Sequence, residues 1–275
     1  MRIVSLEPSV TATLLALGQA EKLVAVSRYC VCPAELNHLP RLPSTWSVQA
    51  SDVVSLQPDL VIASVPYRTE SITELLQAQL DVLCLYPNRL DDVYRHIQLL
   101  GNLTGVGEQA VQMVAEMQPE LDRLHQQAMR RPRRRVYVEM WPKPPMNSVA
   151  WVAELIELLN GEFVPMPAGR IVTVEELQDA DPDLIVIAWA GIPQPELNLV
   201  YERPGWQALR AIRTGQVIAV DELLLNAPGT NLAQGAQQLA AALEGAEDRG
   251  QRTEGRGQRT ESRTSDATVR ATSER

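Results

Sequence analysis

Along the first 244 residues, short apolar runs alternate with polar, turn-forming stretches. Arg2 to Leu6 reads as a strand, Glu7-Pro8-Ser9 turns the chain, and Thr11 to Leu17 reads as a helix that stops at Gly18. A strand suited to the middle of a sheet therefore starts at the second residue. The pattern then repeats in diverged form. VVSLQPDLVIAS at 53–64 and VEELQDADPDLIVIAW at 174–189 both run from a helical turn through Pro-Asp-Leu into an apolar strand. Arg135 to Met140 followed by Trp141-Pro142 repeats the opening, and each copy continues into a helix ending at Gly18 or Gly161. Two copies of a strand–loop–helix–strand unit predict an α/β protein with two lobes of related topology.

Between the copies, Ala110, Val111, Val114, Met117, Leu121, Leu124 and Ala128 recur at helical spacing within 108–131. This predicts a bridging helix, with Pro119 as a kink or a break. The cluster RRPRRR at 130–135 follows it and reads as a solvated basic edge; a nucleic-acid contact is the alternative. Beyond Glu244 large apolar residues nearly vanish, Gly-Gln-Arg-Thr-Glu occurs twice, and charges of both signs alternate. Such a segment cannot bury enough surface to offset its ordering entropy, so 245–275 is expected to be a disordered tail. The expected organisation is a lobe at 1–104, a bridge at 105–131 and a lobe at 132–244.

The net charge of −9 weakens the nucleic-acid alternative, because phosphate binding needs a basic face. The tail nets +1, so the body is more acidic still. Cys30, Cys32 and Cys84 cannot all pair with one another, which fits a reducing compartment or incidental thiols. No stretch approaches the ~20 apolar residues of a membrane span, and no signal peptide precedes the first strand. As it stands the sequence predicts a cytoplasmic chain; an upstream start would make it periplasmic or surface-attached.

Aromatic usage changes the picture more. The chain has one Phe but five Trp and six Tyr. Ligands of open parallel sheets bind at the carboxyl ends of strands. The segments after predicted strands hold Pro8, Tyr29, Tyr67, Trp141, Trp189 and the stretch from Asp221 through Leu224 to Asn226, with Trp46 in a loop nearby. Any one of these aromatics could equally be a core residue. Together they predict a wide, apolar cleft poor in charge, suited to a large flat ligand with polar edges. Cys30-Val31-Cys32 with His38 lacks the second ligand pair of a zinc clip, so no metal site is expected. Gly105-Val106-Gly107 imitates a dinucleotide fingerprint but follows a helix, not a strand. No acid–base or nucleophile pattern stands out, so no catalytic residue is assigned.

RIVSLEPSVTATLLALG, VAVSRYCVCPAEL and SLQPDLVIAS in the first half, with WVAELIELLNGE, RPGWQALRAIRTGQVIAVDE and LNAPG in the second, resemble class III (helical-backbone) substrate-binding proteins of ABC importers. The resemblance spans 1–244 and is strongest to the cobalamin-binding branch. It implies two Rossmann-like lobes joined by a long helix, with the ligand cleft between them. It further implies a non-enzymatic, monomeric binder of a corrinoid such as vitamin B12, with no intrinsic cofactor. Haem or an iron–siderophore is the alternative ligand; a cytosolic corrinoid-handling enzyme or an interaction protein is the alternative role. The family's pocket positions fall on Pro8, Tyr29, Trp46 and the segment from Asp221 to Asn226. Glu70 matches an acid that docks onto the ABC permease, whereas its second-lobe counterpart is replaced by Gln207-Ala208.

Overall fold

The computed structural model of the protein describes residues 1–65 and 68–245. Tyr67 and nearly all of the expected tail lie outside the described residues. The first sheet is wholly parallel, ordered β3-β2-β1-β4-β5, from Arg41–Leu42, Leu23–Ser27, Ile3–Ser5, Leu60–Ser64 and Val82–Leu85. The first strand of the chain is thus the central one, and all three of its residues are buried. A strand covered on both faces must be apolar throughout, and the run from Ile3 into Leu6 supplies that. Ile3 and Ile62 face helices α1 (Pro8–Ala16) and α4 (Leu90–Thr104). Val4 and Val61 face the opposite way, towards α2 (Ala50–Val54) and α3 (Thr69–Gln77).

The second sheet orders β10-β9-β6-β7, from Val217–Ala219, Leu184–Ile187, Arg134–Pro142 and Pro145–Asn147, with β8 (Gly161–Phe163) beside the start of β6. Among the described strands only β7 runs antiparallel, as the return arm of a tight hairpin. Alternation again assigns the faces. Val136, Val138, Leu184 and Val186 join one core, while Tyr137, Ile185 and Ile187 join the other.

Helix α5 (Gly107–Ala128) links the two sheets. At 1.5 Å per residue its 22 residues reach about 33 Å. Its buried positions Ala110, Val114, Met117, Leu121, Leu124 and Ala128 form one stripe, and the helix runs unbroken through the expected interruption at Pro119. Pro119 sits on the exposed side. The stripe shares one core with Leu90, Val93 and Ile97 of α4, and with β6, β9 and α6 (Ala150–Leu158) of the second lobe. Gly105 closes α4 with a left-handed φ of 84°, and a Cβ on Gly101 would collide with that of Ala110. The fingerprint-like glycines therefore build a tight joint between two helices.

Three of the five arginines at 130–135 are engaged within the fold. Arg131 donates to Ala240 O at 2.9 Å, Arg133 pairs with Glu157, and Arg135 donates to Ala180 O at 2.7 Å. Arginines that seemed a free basic edge stitch the second lobe together.

Candidate functional site

The carboxyl ends of both sheets carry exposed apolar side chains. Tyr29 follows β2 and is 47% exposed; Trp46, in the loop after β3, is 55% exposed. The Trp46 loop is held by buried Thr45, whose hydroxyl donates to Ser64 O at the end of β4. Tyr86, just after β5, is also exposed. In the second lobe Trp141, near the end of β6, is 47% exposed, and Ile192 stands exposed in the segment after β9. The indole of Trp141 donates to Lys143 O at 3.1 Å, which fixes its edge and leaves its face open. The lobes meet here. A Cβ on Gly191, whose φ of +77° favours glycine, would lie 3.8 Å from the Tyr29 ring. At the base, a Cβ on Gly229 would lie 3.0 Å from the Thr13 hydroxyl of α1.

The other positions expected from the sequence are distributed differently. Pro8 is half-buried as the first residue of α1. Trp189 is only 3% exposed, and its indole donates to Glu139 at 2.7 Å. The structure thus packs Trp189 into the second lobe's core. Asp221 caps α10 (Glu222–Leu225) by accepting from Leu223 N at 3.0 Å. Leu224 is buried. Asn226 donates through Nδ2 to Ala188 O at 2.7 Å and to Glu222 at 3.4 Å, and its buried Oδ1 has no partner among the described residues. Glu70 is exposed in the first turn of α3, 3.6 Å from Arg68. Gln207 is exposed and donates to Arg203 O at 2.8 Å.

Two arrangements escaped the sequence reading. One is a buried network in the second lobe. Glu139, fully buried, accepts from Tyr137 OH at 2.9 Å, Trp189 Nε1 at 2.7 Å and Arg203 Nη1 at 2.7 Å. The Arg203 guanidinium also lies 4.5 Å from the Trp206 ring centroid. An acid inside the apolar run VYVEMW was the available signal. The other is a pair of acids. Glu7 after β1 and Glu222 after β10 come from different lobes, and each is 8% exposed. Burial, then the charge of Glu222, pushes the Glu7 carboxyl up to about 8, against a smaller lowering by the Ser9 backbone amide. Burial also raises Glu222, opposed by the Gly191 amide.

Among the described residues, no three His, Cys, Asp or Glu side chains gather as a metal site, and no helix is long and apolar enough to cross a membrane. Comparison with known proteins agrees with this architecture. The chain is 28% identical over 254 residues to an uncharacterized ABC transporter substrate-binding lipoprotein, YvrC, of Bacillus subtilis, covering 88% of this chain and 79% of that protein. It is 25% identical to the vitamin B12-binding protein of Pectobacterium carotovorum, covering 88% of each. Its fold matches the apo periplasmic heme-binding protein RhuT of Roseiflexus with a TM-score of 0.78 at 23% identity, covering 89% of this chain and 98% of that one. The family described as periplasmic binding protein matches residues 3–223, and with the two-lobed, helix-bridged fold this places the chain in the periplasmic binding protein family.

Proposed function

We propose that the chain binds a corrinoid, cobalamin in the first instance, between its lobes and delivers it to an ABC importer. One observation carries this reading. Tyr29, Trp46, Tyr86, Trp141 and Ile192 are all exposed around the carboxyl ends of the two sheets, where burial would otherwise be favoured. Such walls suit a large ring whose faces are apolar and whose edges are polar. Affinity then comes from removing ring and wall surface from water, at roughly 25 cal/mol per Å² before ordering costs. Two nearby cations are already engaged: Arg28 lies 5.7 Å from the Tyr29 centroid, and Arg68 pairs with Glu70. That weakens the attraction for an anionic siderophore. The vitamin B12-binding relative supports the same ligand.

Haem is the second reading. It is favoured by the likeness to a heme-binding fold and by the exposed phenols of Tyr29 and Tyr86, since tyrosine can ligate haem iron. The lipoprotein relative and the family's name favour work outside the cytosol, so the cytoplasmic expectation finds no support there. Docking on a permease would then use Glu70 on the first lobe, with no acid at Gln207. Dialysis of the purified chain against cyanocobalamin and against hemin, read by visible spectra, tests the ligand. Retained cobalamin supports the proposal; retention of hemin alone replaces it with the second reading.

A further inference from the structure

The second sheet ends in a row of apolar side chains that the fold leaves uncovered. Trp141 of β6 stands opposite Met146 of β7, and an isolated bridge sets Met146 opposite Ile171. Residues paired across antiparallel strands point to the same face. Backbone bonds flank the second pair, Asn147 N to Arg170 O and Val172 N to Pro145 O, each at 2.9 Å. Met146 and Ile171 are therefore a non-hydrogen-bonded pair, the type whose side chains lie closest. Arg170 donates to Ile171 O at 3.0 Å and to Met166 O at 3.1 Å, which brings the Met166 backbone to the end of the row. Trp141 is 47% exposed, Ile171 53% and Met166 62%, and Met146 is half-buried.

The backbone beneath this row is held at several points. Asn147, fully buried, donates through Nδ2 to Pro165 O at 2.8 Å and Pro167 O at 2.9 Å, and its Oδ1 accepts from Arg170 N at 2.8 Å. Arg170 in turn pairs with Glu176 at 2.8 Å. An exposed apolar row on a fixed backbone is a preformed surface, not a fraying edge. Its place in the fold says what it faces. Ala190 N donates to Met140 O at 3.0 Å, one residue before Trp141, and the next residue, Gly191, is where the second lobe meets Tyr29. The row is thus continuous with the interlobe contact at the cleft. The two walls also differ in stiffness. Tyr29, Trp46 and Tyr86 on the first lobe are planar rings, whereas Met146 and Met166 are unbranched thioethers that repack around an uneven surface.

We propose that Met146, Ile171 and Met166 extend Trp141 into an adaptable subsite of the cleft, against which the ring ligand lays the face that bears a projecting group. This rests on the proposed corrinoid reading and adds a selectivity to it. A cobalamin is a flat ring with an amide-bearing rim and an axial group that ranges from a cyanide to an adenosyl. Stiff aromatic rings fit the face that does not vary. A methionine-lined wall takes the face that does, as flexible methionine surfaces do for varied partners. The chain then holds cobalamins that differ in this group with similar affinity.

The test measures binding of cyanocobalamin, adenosylcobalamin and hemin to wild type, to Ile171→Ala/Met166→Ala and to Met146→Ile, with thermal melts on the same samples. Wild type should bind the two cobalamins within about threefold of one another. The double variant removes exposed apolar surface, so it should melt like wild type and bind both cobalamins about tenfold more weakly. Isoleucine at 146 keeps the apolar bulk and suits a strand, but is stiffer than methionine. Met146→Ile should therefore lose affinity for adenosylcobalamin at least about threefold more than for cyanocobalamin. Full cobalamin affinity in the folded double variant overturns the proposal, and if that variant also loses a self-association seen in wild type, the row belongs to a second copy of the chain. Equal losses for the two cobalamins in Met146→Ile overturn its adaptable character. The hemin arm judges the corrinoid reading separately. Wild type that retains hemin and no cobalamin refutes that reading, while weaker hemin binding by the double variant still supports the wall and unchanged binding overturns it. Wild type that binds none of the three overturns both.

Discussion

At the scale of single side chains, exposed aromatics, a buried aromatic and a buried acid behave differently. Tyr29 and Trp46 are about half exposed, so truncating them removes little packing. Tyr29→Ala and Trp46→Ala are expected to weaken cobalamin binding by roughly 1–3 kcal/mol each, with the melting temperature nearly unchanged; calorimetric titration and thermal melts on the same samples check this. Trp189 should behave in the opposite way. Its indole completes the network on Glu139, so the damage from losing that network appears in stability. Glu139→Ala leaves the partly buried Arg203 without its partner and should cost about 3–5 kcal/mol in denaturant unfolding. Glu7 makes a third, pH-dependent prediction. Its folded pKa of about 8 lies above the ordinary carboxyl value of 4.5. The native state therefore holds a proton that the unfolded chain has lost between these values. Its contribution to stability is full below about pH 4.5 and falls away as pH rises towards 8. Glu7→Gln should flatten the decline in melting temperature across that window; an unaltered decline would assign it to other groups. Trp189 directly follows the apolar run Leu184 to Ala188, so the sequence groups it with the cleft aromatics, as a residue at the end of a strand. What separates them is a partner fifty residues away, Glu139, and only the folded strand order brings the two together.

At the scale of elements, strands and helices were legible because each sits on a surface whose period the sequence repeats. The strands around Ile3, Val61 and Val186 are continuous apolar runs, as strands buried on both faces must be. The bridge helix was legible from its seven apolar positions, but the effect of Pro119 was not. A missing N–H on the solvent side can be tolerated when the opposite stripe is fixed by a shared core, as Met117 and Leu121 fix it here. Pro119→Ala should restore that hydrogen bond and raise the melting temperature, by about 2–4 °C for each kcal/mol recovered. The shared core has a mechanical consequence. Because α4, α5 and α6 pack as one apolar unit, the lobes cannot swing freely about the bridge. Arg89 and Glu154, paired at 2.8 Å across α4 and α6, add a polar tie. Lobe rotation on ligand binding should therefore be a few degrees at most, and solution scattering with and without cobalamin should show nearly equal radii of gyration. A marked compaction would mean that the bridge bends.

For the whole molecule, the two-lobed arrangement was readable because the chain states it twice, at 53–64 and again at 174–189. What could not be read was which residues from separate copies face one another. Glu7 and Glu222 lie 215 positions apart, and nothing local to either predicts that they share an environment. Tyr86 and Ile192 were missed for the same reason: they are ordinary apolar residues until the strand order sets them at the cleft. The central claim is that this assembled cleft holds one flat, amide-edged ring. Calorimetric titration of the purified chain with cyanocobalamin tests it most directly, with tryptophan fluorescence followed in parallel. The account predicts one site per chain, with Trp emission quenched at saturation and binding much weakened in the Tyr29→Ala/Trp46→Ala double variant. No saturable binding by the folded wild type, or full affinity in the folded double variant, would contradict it.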